Sequence, residues 1–142
     1  KTGNPVTDVI LAEKRKEAQE RGIGFICDFH YPEKTGINAF DVSIILNNAL
    51  DNAMEAAECC ERPFIDIKSW RQRNVYMIEV RNPFIGNLIT DRESGLPESA
   101  KGGSGHGFGL KNMQKVARKY HGDIDVRQEK NGFVLTVMMM LE

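Results

Sequence analysis

The segment that most constrains the fold is a long helical stretch between Asn38 and Pro63. Asn38 suits an N-cap, because its side-chain oxygen can accept a free backbone N–H, and Asp41 suits the first turn, where negative charge is favourable. FDVSIILNNALDNAMEAAECC follows, with apolar residues at helical spacing over about 20 residues. A helix of this length with one apolar stripe must bury that stripe against another layer of the protein.

Two further helices are predicted on either side of this segment. PVTDVILAEKRKEAQER, residues 5–21, begins with a proline suited to a first turn and places Val6, Val9 and Ile10 on an apolar face. FGLKNMQKVARKY, residues 108–120, carries the same periodicity and is followed by Gly122, a residue type that often ends helices.

The strands come mainly in pairs. GIGFICDFHY predicts one strand that stops at Pro32. PFIDIKSWRQ and NVYMIEVRN predict two strands with a turn near Arg73 and Asn74. DIDVRQE and FVLTVMMML predict two more, joined at Lys130-Asn131-Gly132, where Asn-Gly is typical of a hairpin. Hairpins outnumber crossovers, so we predict a single α+β domain over residues 1–142, a two-layer sandwich with a mixed sheet and helices on one face.

Composition excludes several classes of protein. The net charge of −1 argues against a non-specific nucleic-acid binder, and no apolar run approaches the length of a membrane span or signal peptide. The three cysteines (Cys27, Cys59 and Cys60) are odd in number and lack C-x-x-C spacing, which predicts reduced thiols in a cytoplasmic setting without a metal framework. A start at Lys1 rather than methionine predicts a fragment of a longer protein.

GGSGHGFGLKNM, residues 102–113, places several glycines directly before a helix. Glycine lets backbone N–H groups approach a ligand closely, and a helix N-terminus adds unpaired N–H donors and partial positive charge. We therefore predict a di- or triphosphate cradle from Gly105, Gly107 and Gly109, with Lys101 adding positive charge. The spacing matches neither G-x-G-x-x-G nor G-x-x-x-x-G-K-[ST]. A flexible loop with a glycine-heavy helix entry is the alternative, and residues 83–107 have the length of a functional lid or a disordered segment.

ILNNALDNAMEAAE places three asparagines inside a helix, where asparagine is a poor helix former. Asn48, Asn52 and Glu55 share one stripe, and the adjoining apolar stripe consists of Ile45, Ala49, Ala53 and Ala56. Asn48 and Asn52 should thus lie at the margin of the core, where an amide oxygen could join phosphate oxygens and water around Mg²⁺. The alternative is a helix with polar residues at the edge of its buried face.

Taken together, N-x-x-x-N-A on a helix, a hairpin strand and a G-x-G-x-G-L turn opening another helix resemble the ATP-binding domain of sensor histidine kinases. This is the GHKL or Bergerat fold, shared with gyrase B-type ATPases and MutL. The resemblance covers roughly residues 5 to 141, and NNALDNAMEA and KGGSGHGFGL are most similar to the quorum-sensing receptor kinases.

The resemblance implies ATP and Mg²⁺ as ligands and assigns a role to each motif residue. Asn52 would coordinate Mg²⁺, and Asn48 would support phosphates or metal where hydrolytic relatives carry a glutamate base, which favours phosphoryl transfer over hydrolysis. Residues 84–104 would form the ATP lid. The remaining implied nucleotide-site residues are Glu55, Lys101, Gly105, His106, Gly107, Phe108, Gly109 and the helix anchor Leu110.

One motif departs from the family pattern. Where the resemblance expects D-x-G-x-G, the strand ends RNPFIG, so Asn82 replaces the adenine-reading aspartate and Gly86 fits the later glycine. An asparagine oxygen can still accept from the adenine amino group, without the charge.

The resemblance also implies partners. His30, His106 and His121 lack the helical setting of a phosphoacceptor, so the acceptor histidine should lie on a separate dimerisation domain. A response regulator, a homodimeric full-length protein and a cytoplasmic position within a membrane-anchored sensor follow from the same likeness. Two alternatives stay open: an anti-sigma-factor-type serine kinase, and a GHKL interaction module that no longer binds nucleotide.

Overall fold

The computed structural model describes residues 1–85, 104–130 and 132–141, and for residues 104–108 it describes the backbone alone. The elements run in the order α1 (Pro5–Glu20), β1 (Gly24–Asp28), α2 (Ala39–Glu58), β2 (Phe64–Gln72), β3 (Val75–Asn82), α3 (Ser104–Lys119), β4 (Asp123–Glu129) and β5 (Gly132–Met140). Within these ranges, no helix is both long and apolar enough to cross a membrane.

The strands form one mixed sheet in the order β1-β2-β3-β5-β4. β1 pairs with β2 in parallel, because α2 carries the chain back along the sheet between them, and the remaining neighbours are antiparallel. Gln72 pairs with Val75 across a two-residue turn that places Arg73 in the left-handed region, at φ 58°. The predicted α+β fold with a mixed sheet is confirmed. Asn131 of the other predicted hairpin lies outside the described residues.

The helices and one face of the sheet share a single core. Alternate strand residues such as Ile67, Ile78 and Val137 are fully buried and belong to one cluster with Leu50 of α2 and Met113 of α3. The positions between them point to the opposite face. There Glu79 accepts from Arg81 at 2.9 Å and lies 3.5 Å from Lys68. The alternation of the strands therefore assigns one face to the helices, and the other carries these charged side chains together with exposed apolar ones such as Ile26 and Met138.

β1 is shorter than the predicted strand over residues 22–31. The ladder with β2 ends at Asp28, and the next strand position is satisfied by a side chain, since the His30 N–H donates to the buried Ser69 hydroxyl at 2.8 Å. The Tyr31 N–H then donates to the Thr2 carbonyl at 2.9 Å. Residues after Asp28 thus leave the sheet to pack against the N-terminal segment.

The predicted apolar face of α1 is wrong in its orientation. Val6 and Val9 are 46% and 58% exposed, whereas Thr7, Leu11 and Ala18 are buried. Thr7 is drawn inward because its hydroxyl is hydrogen-bonded to the hydroxyl of Thr2 and to the carbonyl of the N-cap residue. A buried threonine with satisfied hydrogen bonds can occupy a core-facing position. A prediction from the spacing of the valines alone therefore chose the wrong face of α1.

The end of α3 also differs in detail from the prediction. His121, not Gly122, adopts the left-handed conformation, with φ 60°. Gly122 is required for another reason, since a β-carbon there would lie 1.8 Å from the Met138 carbonyl oxygen of β5. By contrast, Gly22 after α1 is left-handed, with φ 72°, and its β-carbon would meet nothing within 4 Å. The two glycines therefore serve a steric and a conformational need, respectively.

This contrast predicts different costs for alanine at the two positions. We expect Gly122→Ala to lower the free energy of unfolding by about 3 kcal/mol, because the backbone of β5 must move. Gly22→Ala should cost about 1 kcal/mol, the strain of a left-handed alanine. Equilibrium denaturation of both variants beside the unmodified chain measures the difference, and equal losses would contradict the steric role of Gly122.

Candidate functional site

A glycine of α3, Gly109, lies against two asparagines of α2. A β-carbon built at Gly109 would lie 3.2 Å from Nδ2 of Asn52 and 3.3 Å from Oδ1 of Asn48. Any larger residue would need these amides to move, so the contact depends on the bare backbone of α3. The two asparagines of the predicted metal stripe and one glycine of the predicted phosphate cradle are thereby brought together.

The Asn48 amide has a defined orientation. Its Nδ2 donates to the Ile44 carbonyl of the same helix at 2.8 Å, and a carbonyl partner requires the nitrogen on that side. The oxygen is therefore the atom directed towards Gly109, in agreement with the 3.3 Å separation. Asn48 is half-buried, whereas its neighbour Asn47 is exposed, so position 48 lies at the margin of the core as predicted.

The Asn52 amide is half-buried on the same stripe and makes no hydrogen bond to any described residue. A neutral oxygen in this position can bind a hard cation, which prefers oxygen ligands. The described ranges contain no cluster of three or more His, Cys, Asp or Glu side chains suited to a metal. The donor set therefore fits Mg²⁺ bound together with ligand oxygens, and it fits a nucleotide through the bare backbone at Gly109.

α3 begins earlier than predicted. The helix starts at Ser104 rather than near Phe108, so Gly105, His106 and Gly107 have helical backbone. Glycine disfavours a helix by about 1 kcal/mol, yet propensity is a weak guide where a helix packs on a neighbour. The unpaired N–H groups of the first turn consequently belong to residues 104–107, within the glycine-rich sequence itself.

The other predicted site residues lie in different settings. Leu110 is buried against α2 and the sheet as the predicted helix anchor requires, and Glu55 is exposed on the outer side of α2. Of the predicted apolar stripe, Ala56 is half-buried while its three companions are fully buried. Gly86, Lys101 and all but the ends of the predicted lid at 84–104 lie outside the described residues.

Asn82 ends β3 and is almost fully buried, with 1% exposure. Its Nδ2 donates to the Pro83 carbonyl at 2.9 Å, which leaves the side-chain oxygen as an acceptor. Phe133, its partner across the ladder, packs against Phe84 with ring centroids 5.7 Å apart. No local sequence pattern predicts this aromatic pair, because it forms between a strand and the loop that follows another strand.

A polar cluster at the opposite end of the helix pair was also missed. The Tyr120 hydroxyl donates to Asp41 Oδ2, and Lys119 Nζ lies 2.9 Å from the same oxygen. The Asn38 N–H donates to the Tyr120 hydroxyl at 3.0 Å. Residues 41 and 120 are so distant in sequence that helix capping was the only role the pattern suggested for Asp41. We refer to Asp41, Lys119 and Tyr120 as the helix clamp.

The clamp consists of an ionised carboxylate and a protonated phenol at neutral pH. Burial of Asp41 would by itself raise its pKa, but the hydrogen bonds from Tyr120 and Lys119 and the charge of Lys119 together hold the pKa below its usual value. Burial raises the pKa of the Tyr120 hydroxyl, and the hydrogen bond to Asp41 raises that pKa further. Asp41 is therefore the acceptor and Tyr120 the donor.

A mixed sheet covered by helices defines an α+β domain, and the paired amides of α2 against a glycine of α3 mark a candidate ligand site. A family model described as the GHKL domain matches residues 37–140, and the chain therefore belongs to the GHKL family. No curated protein sequence matches it significantly.

Solved structures with a similar fold are histidine kinases. The nucleotide-free catalytic domain of ThkA shares 18% identity with a TM-score of 0.74, over 99% of this chain and 93% of that chain. AdeS from Acinetobacter baumannii shares 13% identity with a TM-score of 0.69, over 96% of this chain and 65% of that one. A histidine kinase from Burkholderia phymatum shares 15% identity with a TM-score of 0.70, over 97% and 68%, respectively. At these identities the likeness is one of fold.

The contact at Gly109 predicts the response to an added methyl group. We expect Gly109→Ala to change the free energy of unfolding by no more than about 1 kcal/mol, because the helix propensity of alanine offsets the crowding. The side-chain amide NMR signals of Asn48 and Asn52 should shift, since both amides must give way. Gly24→Ala is the control, because its β-carbon would meet only ordinary contacts at 3.7 Å. Unmoved amide signals in Gly109→Ala would contradict the packing described.

Proposed function

We propose that this chain is the ATP-binding catalytic domain of a two-component sensor histidine kinase. In this proposal it transfers the γ-phosphoryl group of ATP to a histidine on a separate dimerisation domain. Membership of the GHKL family supports nucleotide binding. The observation that carries the proposal is the meeting of Asn48, Asn52 and Gly109, because it brings amide oxygens next to the N-terminal part of α3, where a helix favours anions.

Asn52 is proposed as the protein ligand of Mg²⁺. Its amide has no competing hydrogen bond among the described residues, so binding a cation does not require breaking one. When bound, the ion would neutralise phosphate charge as the phosphoryl group transfers. Gly105, Gly107 and Gly109 are proposed to admit the phosphates to the N-terminal end of α3, where unpaired N–H groups and partial positive charge favour anions. Lys101 is proposed as an additional cation from the lid.

Asn48 supports phosphoryl transfer to a protein rather than hydrolysis. Its nitrogen is held by the Ile44 carbonyl, so the oxygen that faces the site belongs to a neutral amide. An amide has no appreciable basicity near neutral pH and cannot take a proton from an attacking water. Asn48 is therefore proposed to orient ligand oxygens and water without activating water.

Asn82 is proposed to read the adenine base. Because its nitrogen is engaged with the Pro83 carbonyl, the oxygen remains to accept a hydrogen bond from the adenine amino group. Guanine presents a carbonyl oxygen at the equivalent place, and this oxygen would need a hydrogen-bond donor. Asn82 could donate only if its Nδ2 gave up the hydrogen bond to the Pro83 carbonyl. Preference for adenine over guanine follows from this orientation.

The phosphoacceptor is proposed to lie outside this chain. His30 pairs with Asp28 at 2.9 Å beyond a strand end, and His121 forms the left-handed end of α3, so neither lies within a helix. The expectation that His106 lacks a helical setting is wrong, because its backbone belongs to the first turn of α3, but it lies between two glycines of the proposed phosphate cradle. We extend the same proposal to the full-length protein. It would be a homodimeric, membrane-anchored sensor of the quorum-sensing receptor kind that acts on a response regulator. The exposed Val6 and Val9 on α1 are consistent with a join to the dimerisation domain.

The metal assignment predicts a selective loss in Asn52→Ala. We expect the affinity for ADP with Mg²⁺ to fall by about tenfold or more, equivalent to about 1.4 kcal/mol, while the weaker metal-free binding changes little. Asn47→Ala is the matched control, since Asn47 lies on the same helix and is exposed. Calorimetric titration with and without Mg²⁺ measures the metal-dependent and the metal-free affinity for ADP separately.

The outcomes of this titration differ in meaning. Saturable binding that Asn52→Ala leaves unchanged would retain the nucleotide and refute the metal ligand. No binding by the unmodified chain at millimolar ADP would refute the kinase proposal and favour an interaction module.

The transfer reaction predicts dependence on a second domain. With labelled ATP, the chain alone should hydrolyse slowly and retain no label, whereas a helical-hairpin dimerisation domain supplied in trans should become labelled. The label should be stable in alkali and lost in acid, as expected for a phosphohistidine. Stable labelling of the isolated chain, or of a serine in a partner protein, would contradict the proposal.

A further inference from the structure

We infer that Asp41 is a positioning residue for the nucleotide site, and that the helix clamp which it forms with Tyr120 and Lys119 holds Gly109 against Asn48 and Asn52. The inference rests on the proposed function. According to this inference, the helix clamp lies away from the ligand but sets the spacing of α2 and α3 at the place where the phosphates and metal would bind.

The clamp and the site lie at opposite ends of one antiparallel helix pair. Asp41 precedes Asn48 and Asn52 by about 10 to 16 Å along α2, at 1.5 Å per residue. On α3, Gly109 precedes Lys119 by about 15 Å. A tilt of α3 by about 4° around the clamp would therefore displace Gly109 by about 1 Å, from the same helical rise. This displacement is larger than the few tenths of an ångström by which the amides would have to give way if position 109 carried a β-carbon, so it would alter the contact between Gly109 and the two amides.

The clamp differs from the other anchors of α3. Gln114 Nε2 donates to Asp123 at 3.2 Å, and the Tyr120 carbonyl accepts from the Met140 N–H at 2.9 Å. These bonds tie α3 to the sheet. The Tyr120 hydroxyl instead bonds to two groups at the beginning of α2, the Asn38 N–H and the Asp41 carboxylate. It is thus the hydroxyl that fixes one helix directly to the other.

Burial indicates which members of the clamp matter. The Asp41 side chain is 11% exposed and Tyr120 is half-buried, so water competes little for their hydrogen bond. The Lys119 side chain is 62% exposed, and an exposed ion pair contributes little. The positioning effect should therefore follow the Tyr120 hydroxyl and the Asp41 carboxylate, with a small part for Lys119.

A matched ion pair allows positioning to be separated from general stability. Lys14 Nζ lies 2.6 Å from Asp51, with a Lys14 side chain 13% exposed. This pair fixes α1 to α2 and does not involve α3. The Asp51 side chain is 58% exposed, so Lys14→Gln should lower stability only slightly. It should not move Gly109, and it serves as the control for Tyr120→Phe and Asp41→Asn.

The experiment measures ADP binding with Mg²⁺ by calorimetry, the free energy of unfolding by denaturation, and the side-chain amide NMR signals of Asn48 and Asn52. We expect Tyr120→Phe to weaken ADP binding by about three- to tenfold, the size of an ordinary coupling between interacting groups, and to shift both amide signals. Asp41→Asn should act in the same direction, and Lys119→Gln by less than about twofold. Lys14→Gln should lower stability, leave ADP binding unchanged and leave the amide signals in place.

Failure of the inference can be distinguished from failure of the proposed function. If Tyr120→Phe lowers stability while ADP binding and the amide signals match the unmodified protein, the clamp is merely structural and the inference is wrong. If the unmodified protein binds no ADP, the proposed function is wrong. The amide signals then still test whether the clamp sets the spacing of the helices.

Discussion

The close approach of α2 and α3 at Gly109 is the contact on which the candidate site depends. The two helices meet where α3 presents bare backbone beside two amides of α2, and the orientation of the Asn48 amide is set by a carbonyl of α2 itself. α3 in turn is held by Gly122, whose lack of a side chain lets the chain pass over β5. One glycine thus places the helix on the sheet, and the other places it on the neighbouring helix.

The topology of the sheet determines where α2 lies. Its antiparallel centre supplies Ile78 and Val137 to the core, while the parallel pair β1 and β2 requires α2 to cross between them. α2 therefore lies over the middle of the sheet, with a buried stripe on one side and asparagines at its margin. A right-handed crossover is the usual result of such a connection. The position of the site is a consequence of this topology together with the amphipathic pattern of a single helix.

Local patterns predicted much of this fold, and contacts distant in sequence account for the rest. The helix over residues 39–58 and both hairpins have strong local signals: apolar periodicity, an N-cap at Asn38 and turn residues at Arg73. The inward face of α1 has no such local signal. Thr7 is buried there because it is hydrogen-bonded to Thr2, and apolar periodicity cannot predict that bond. The roles of His121 and Gly122 could not be separated without β5, and the clamp joins residues 41 and 120. For the site, the two asparagines and Gly109 were found from spacing, whereas the orientation of the Asn48 amide depends on the Ile44 carbonyl, which spacing does not reveal.

Asparagines stand at two positions where the resemblance places carboxylates in relatives, and only Asn82 departs from the histidine kinase pattern. The resemblance places a glutamate at position 48 in hydrolytic relatives and an aspartate at position 82. In this chain each asparagine uses its nitrogen to satisfy a backbone carbonyl, that of Ile44 at 2.8 Å and that of Pro83 at 2.9 Å. A carboxylate cannot donate, and at the buried position 82 it would face a carbonyl oxygen at close range. The substitutions are therefore consistent with the local structure, and each leaves one oxygen as an oriented acceptor. Both orientations arise from local backbone carbonyls, so they are compatible with the nucleotide site and the phosphoryl transfer proposed above.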